Sequence, residues 1–190
     1  TGGVTISHLR FGDKPIKSPY YITKANFVAC HNPSYITKGY KIVNDVKPGG
    51  KFLLNCQWKP EELDAILPGA VKSYIANNNV EFYIVNAIDK AAEIGMGKRT
   101  NTILQSAFFA LANIMPIEEA VEHMKYMAKK SYLKKGEAVV EMNYKAIDAG
   151  KDALVKIDVP AAWANAVDTT VTEKSEGREK LVKMVDNIMK

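Results

Sequence analysis

Short apolar runs alternate with amphipathic stretches through the first two thirds of the chain. Residues 4–11 read as a strand, stopped by Gly12-Asp13 and the Pro15 turn. Residues 27–30 form a short apolar run. Asn32-Pro33 follows, an N-cap residue with proline at the first helical position. The spacing predicts a helix through Tyr40, Ile42 and Val43 that ends at Lys47-Pro48-Gly49-Gly50. Residues 52–56 are the next strand. Pro60-Glu61-Glu62 opens another helix with acids in its first turn, where the helix dipole favours them. Pro68 interrupts it and residues 70–76 continue it. Asn77-Asn78-Asn79 is a turn, residues 80–85 are the most β-like run, and the helix over residues 87–93 ends at Gly95-Met96-Gly97. Strands separated by helices imply right-handed crossovers and a parallel sheet. Strand runs that are apolar throughout, instead of alternating, imply a sheet covered on both faces.

Beyond Gly97 the pattern becomes helical. Residues 102–115 are apolar almost all round, as a buried helix is. Pro116 starts the next helix, with Ile117, Ala120, Val121, Met124 and Ala128 on one stripe, and Gly136 breaks it. A helix over residues 138–149 follows, closed by Gly150. Residues 155–172 look irregular and read as a linker that packs by its apolar side chains. The segment 177–190 is amphipathic through Leu181, Met184, Val185 and Ile188. The pattern therefore predicts an α/β fold: a parallel sheet of about four strands, flanking helices and a C-terminal helical extension.

With 190 residues, 47% of them apolar, the chain can bury one core of ordinary domain size. No stretch approaches the roughly 20 apolar residues of a membrane span. No basic start precedes an apolar run, so the sequence reads as soluble and cytoplasmic, without a membrane partner. It begins at Thr1 with no initiator Met and is expected to come from something longer. The net charge of +5 is spread along the chain, with only modest clusters at Lys129-Lys130 and Lys134-Lys135. No arginine-rich arm is present, which argues against nucleic acid. The mild excess suits phosphate-bearing ligands or an acidic partner domain. Cys30 and Cys56 cannot supply the four ligands of a structural zinc site or a cubane cluster. In a reducing compartment they are expected to stay half-buried thiols.

Gly95-Met96-Gly97-Lys98-Arg99-Thr100 fails the P-loop spacing, because position 92 is Ala and Arg99 stands where Ser or Thr should follow the lysine. It still places two cations on a glycine turn ahead of a helix N-terminus, where backbone N–H groups attract anions. An anion site and a plain C-cap before a solvated helix start both fit. His31-Asn32-Pro33-Ser34 follows the carboxyl end of a strand, the edge where ligands sit in open parallel sheets; an N-cap with a part-exposed histidine fits equally. Ser7-His8-Leu9-Arg10 lies on the first strand, where Arg10 can meet an acid or a partner domain. No Ser-His-acid set is visible. Glu61-Glu62 and Glu118-Glu119 open helices as capping charges, and the Trp and Met residues sit at core spacing.

Several longer strings carry more. They are Gly2-Gly3-Val4-Thr5-Ile6-Ser7-His8-Leu9-Arg10-Phe11-Gly12, Ala29-Cys30-His31-Asn32-Pro33-Ser34-Tyr35, Leu63-Asp64-Ala65-Ile66-Leu67-Pro68, Gly97-Lys98-Arg99-Thr100-Asn101, Gln105-Ser106-Ala107-Phe108-Phe109, Ala146-Ile147-Asp148-Ala149-Gly150 and Val159-Pro160-Ala161-Ala162-Trp163. Together they resemble the gamma domain, the third domain, of pyruvate:ferredoxin (flavodoxin) oxidoreductases, over nearly the whole chain.

That resemblance implies a Rossmann-like domain associated with CoA, in an enzyme that converts pyruvate and CoA to acetyl-CoA and carbon dioxide while reducing ferredoxin or flavodoxin. It implies that thiamine diphosphate, Mg and 4Fe-4S clusters act on other domains, and that this chain holds no cofactor, no metal and no catalytic residue. CoA contacts carry over to Arg99 and Asn101, with Lys98 as a further candidate. The expected partners are other domains or subunits of the same oxidoreductase. The family's first strand–helix unit, which precedes Gly2-Gly3, is absent. A sheet position is therefore expected to be unfilled, and self-association of the chain is expected. Residues 1–154 are assigned to the gamma-type domain and residues 155–190 to a linker and helix toward the next. The other reading is a non-catalytic module that docks other domains without a ligand.

Overall fold

The computed structural model describes residues 4–17 and 20–168. Its centre is a four-stranded sheet in the order β1-β2-β3-β4. Strands β1 (Ala25–Cys30), β2 (Val46–Asn55) and β3 (Glu81–Val85) are parallel, and β4 (Leu154–Ile157) runs antiparallel to β3. The helices are α1 (Ser34–Thr37), α2 (Leu63–Ile66), α3 (Gly69–Asn77), α4 (Ala87–Ile94), α5 (Asn101–Ala112), α6 (Ile117–Tyr132) and α7 (Glu137–Asp152).

Strand side chains alternate between faces, and here both faces are covered. Phe52, Leu54, Phe82 and Ile84 point to one side, where they meet Ile36, Leu63, Val71 and Ile75 from α1, α2 and α3, together with Trp163. Leu53 and Val85 point to the other, against Ala87 and Ala91 of α4, Ile103, Leu104 and Ala107 of α5, and Ala146 of α7. Helix α6 lies outside this second layer, with Met124 and Ala128 against Ile147. The fold is α/β, as its apolar strand runs require.

Four elements differ from the sequence expectation. Residues 4–11 form no strand. Their β-favouring side chains need a neighbouring ladder, and none lies beside them among the described residues. Ile6, Leu9 and Phe11 are exposed instead. The helix expected through Val43 is only α1, and a 3₁₀ turn at Ile42–Asp45 follows it. Pro48-Gly49-Gly50 does not end a helix: it lies inside β2, where the register jumps from Ala25↔Val46 to Phe27↔Lys51, so the extra residues bulge out of the ladder. The stretch read as irregular from residue 155 supplies β4 and a 3₁₀ turn at Ala161–Asn165. The fourth strand is therefore antiparallel and comes from the far end of the chain. The predicted helix over residues 177–190 lies outside the described residues.

Gly150 does not close a helix either. It sits within α7, and a Cβ there would collide with the Ile103 carbonyl of α5. Glycine lets the two helices touch backbone to backbone. Beside the contact, the Ser106 hydroxyl donates to the Ile147 carbonyl, so the close approach carries its own hydrogen bond.

Candidate functional site

The carboxyl ends of the parallel strands are joined by Asn55. This residue is 2% exposed at the end of β2. Its amide donates to the His31 carbonyl at 3.0 Å, and its Oδ1 accepts the Ala87 N–H at 3.1 Å. One side chain thus ties the loop after β1 to the first turn of α4. Asn86 caps the same helix, accepting the Asp89 N–H at 3.1 Å, and Gln57 and Asn86 both donate to the Asp89 carboxylate at 2.6 Å. Asn32 Oδ1 accepts the Ser34 N–H at 3.0 Å just ahead of α1, whose N-cap is Pro33 and not the Asn32 that the sequence suggests. His31 is exposed beside it, and partial desolvation pulls its imidazole below the ordinary value. These polar groups satisfy one another as caps.

The cationic turn lies at the other end of α4, roughly 12 Å along the helix. Gly95 ends α4 with φ 88°, a left-handed conformation that suits glycine. Its N–H donates to the Ala92 carbonyl at 3.1 Å, and Met96, buried beneath it, donates to the Ala91 carbonyl at 2.8 Å. The Met96 carbonyl then accepts both the Arg99 backbone N–H, at 3.2 Å, and its Nε, at 3.3 Å. This double contact folds the stem of Arg99 against the turn. The Nε bond leaves the two terminal nitrogens of the guanidinium for another acceptor. Lys98, Arg99 and Asn101 are all exposed, and α5 starts at Asn101. No side chain caps this helix start, so its first N–H groups have no capping partner. The structure thus brings Lys98, Arg99 and Asn101 together at one helix start and sets His31 apart from them.

Next to the turn is a feature with no sequence signal. Asn101 lines one side of a groove of about 390 Å³ between α5, α6 and α7, with Gln105, Phe109, Met124, Met127 and Asn143 among its walls. At its floor Thr102 donates to Asn143 Oδ1 at 3.2 Å, and Asn143 donates to the Val139 carbonyl at 2.8 Å. The groove depends on residues 41 positions apart, and no local spacing announces that.

Other candidates resolve into packing. Arg10 donates to the Tyr20 carbonyl at 2.8 Å and stacks over the Tyr20 ring at 3.6 Å. His8 Nδ1 accepts the Ile22 N–H at 3.2 Å. Glu62 accepts the Lys59 N–H at 2.8 Å, the capping role expected of it. Cys30 and Cys56 are free thiols, fully buried and not half-buried, and burial pushes both up to about 11. Among the described residues no three His, Cys, Asp or Glu side chains gather as metal ligands. Two buried thiols do not fit an iron–sulfur cluster. No helix among them is long and apolar enough to cross a membrane.

Comparison with known proteins places the chain. The chain is 47% identical over 189 residues to a pyruvate:ferredoxin oxidoreductase of Moorella thermoacetica, covering 98% of this chain and 16% of that protein. It is 51% identical to a pyruvate-flavodoxin oxidoreductase of Enterobacter agglomerans, covering 92% of this chain and 15% of that one. A pyruvate dehydrogenase [NADP(+)] of Cryptosporidium parvum is 46% identical across 82% of this chain and 8% of its own length. The chain therefore spans about a sixth, or less, of these relatives. Among solved structures, the pyruvate oxidoreductase subunit PORC of Thermotoga maritima superposes with a TM-score of 0.56 at 17% identity, over 72% of this chain and 67% of that one, a likeness of fold. Residues 1–153 match the family described as pyruvate ferredoxin/flavodoxin oxidoreductase, and this chain belongs to that family.

Proposed function

We propose that this chain is the CoA-associated domain of an enzyme that oxidatively decarboxylates pyruvate with CoA. The products are acetyl-CoA and carbon dioxide, and the electrons pass to ferredoxin or flavodoxin. The reading is supported by family membership and by one observation above others: Lys98, Arg99 and Asn101 stand at an uncapped helix start on a glycine turn. Phosphate oxygens suit that place, because backbone N–H groups and the helix dipole favour anions there and guanidinium binds phosphate through paired hydrogen bonds. In this reading Arg99 and Asn101 hold CoA phosphates and Lys98 adds charge. Thiamine diphosphate with Mg supplies the carbon chemistry and 4Fe-4S clusters the electron path, both on other domains of a cytoplasmic assembly. The gamma-type domain, expected over residues 1–154, also takes in β4 and the Trp163 turn, and the chain beyond them leads toward the next domain.

Arg99→Ala in the intact enzyme tests the reading. Losing one charge-assisted contact costs about 1.5–3 kcal/mol, so the KM for CoA is expected to rise roughly ten- to a hundredfold while that for pyruvate holds. An unchanged KM for CoA returns Arg99 to a helix-start role.

A second reading has its own support. Ile6, Leu9, Phe11, Ile16, Tyr20 and Tyr21 are all exposed on the N-terminal arm, a surface suited to a neighbouring domain. In that reading the chain docks partners and binds no ligand. Calorimetry with CoA on the intact enzyme and on its Arg99→Ala variant separates the two.

A further inference from the structure

The groove between α5, α6 and α7 is next to the cationic turn but is not explained by it. Resting on the CoA reading above, we propose that this groove seats the pantetheine arm of the ligand while the turn holds its phosphates. Asn101 links the two parts: it lies two residues after Arg99 and is also a wall of the groove. A phosphorylated thiol on such an arm has an anionic end and a long tail in which short alkyl stretches separate amide groups. The protein offers both kinds of surface: cations stand at the turn, and Met124, Met127 and Phe109 share the walls of the groove with the amide side chains of Asn101, Gln105 and Asn143.

The floor of the groove argues for a polar-jointed occupant in place of a purely apolar one. Thr102 and Asn143 are 8% and 4% exposed, and they hydrogen-bond each other. A groove meant only for hydrocarbon packing gains nothing from a buried hydroxyl and amide. Asn143 spends one amide hydrogen on the Val139 carbonyl. A second hydrogen and spare lone pairs remain on the pair, the complement an amide in the arm requires. The volume, about 390 Å³, lies within the roughly 300–1,000 Å³ of small-molecule pockets. Methionine walls adapt to a thin flexible chain more readily than branched residues do.

The test uses the intact oxidoreductase and two probes in calorimetry: CoA, and adenosine 3′,5′-bisphosphate, which has the phosphates without the arm. Gln105→Trp and Ser131→Phe fill the groove from exposed rim positions, so the core is left alone. Met127→Ala, at a residue 55% exposed, widens the groove and serves if a bulky variant fails to fold. Each is expected to weaken CoA at least tenfold and to leave the bisphosphate unchanged, whereas Arg99→Ala weakens both. Unchanged CoA binding in all three groove variants overturns the proposal, even if Arg99→Ala still weakens both probes and the CoA reading stands. Equal weakening of both probes by the groove variants also overturns it, because the groove would then hold the nucleotide end. If Arg99→Ala affects neither probe, it is the underlying CoA reading that fails.

Discussion

The Trp163 indole N–H donates to the Asp64 carboxylate at 2.7 Å, joining α2 to a residue 99 positions later. Around this bond the segment after β4 clasps α3. Ser73 Oγ and the Asn77 amide both donate to the Ala164 carbonyl, and Asp168 accepts the Ala70 N–H at 3.3 Å. The indole ring is buried against Phe82.

Trp163→Ala is expected to cost about 3–5 kcal/mol, the range for emptying a large aromatic site. The Trp163 bond, then Lys72, holds the Asp64 carboxyl below its ordinary 3.8. A depressed carboxylate contributes stability that is present above its unfolded value and lost as pH falls through the folded one. Urea titrations at pH 7 and near pH 3 should therefore differ less for Asp64→Asn than for the unaltered chain. An identical pH dependence in both would remove Asp64 from the clasp's energetics.

Gly150→Ala runs against helix propensity. Alanine normally gains about 1 kcal/mol over glycine in a helix. Here its Cβ meets the Ile103 carbonyl and lies 2.7 Å from the Ser106 Cβ. A net loss of about 1–3 kcal/mol is expected from forcing α5 and α7 apart, read as a lower Tm. A rise in Tm would mean that the helices can shift without cost.

The sequence made β3 and the helices α4, α5 and α6 legible because their signals are local: period, caps, and the turns at Asn77-Asn78-Asn79 and Gly95. The glycine turn that sets Lys98 and Arg99 ahead of a helix start was legible for the same reason, whereas Asn101 was singled out only by the family resemblance. Strand β4 was not, since its four residues include exposed Val155 and Lys156 and owe their conformation to pairing with β3. Residues 4–11 show the converse, with strand-like composition but no ladder. Pro48-Gly49-Gly50 has turn chemistry, and the fold uses it for a bulge between β1 and β2. Asn55, Thr102 and Asn143 gave no warning, because each acts across elements distant in sequence.

Alkaline pH should weaken the fold through its thiols. Burial is the main cause that lifts Cys30 and Cys56 from 9.0 to about 11. A raised value favours the protonated form in the folded state. The contribution is complete below pH 9 and lost as pH rises through 11. Since a tenfold change in proton affinity is about 1.4 kcal/mol, each thiol contributes roughly 2–3 kcal/mol to that slope. Chemical denaturation from pH 8 to 11 should show a flatter decline for the Cys30→Ala/Cys56→Ala double variant; parallel declines would exclude the thiols as the cause.

The chain by itself should self-associate. β1 is an edge strand with no neighbour on its outer side among the described residues, and an unpaired edge templates further pairing. The exposed apolar side chains at positions 6–21 add a second sticky surface. Light scattering over a dilution series should give a mass that rises with concentration. A constant 21.0 kDa would refute this.

The clasp also sets an order in time. During synthesis β1, β2 and β3 can pair once residue 85 has emerged, since each lies close in sequence to the strand beside it. The face carrying Phe52 and Phe82 then waits for Trp163, and the outer edge of β3 waits for β4. Contacts of such long sequence separation are slow to close. A nascent chain stopped before residue 154 would carry a paired three-stranded sheet with both edges open and Phe82 without its Trp163 contact. The final fifteen described residues thus close the described fold, and the ribosome delivers them only after the elements they cover.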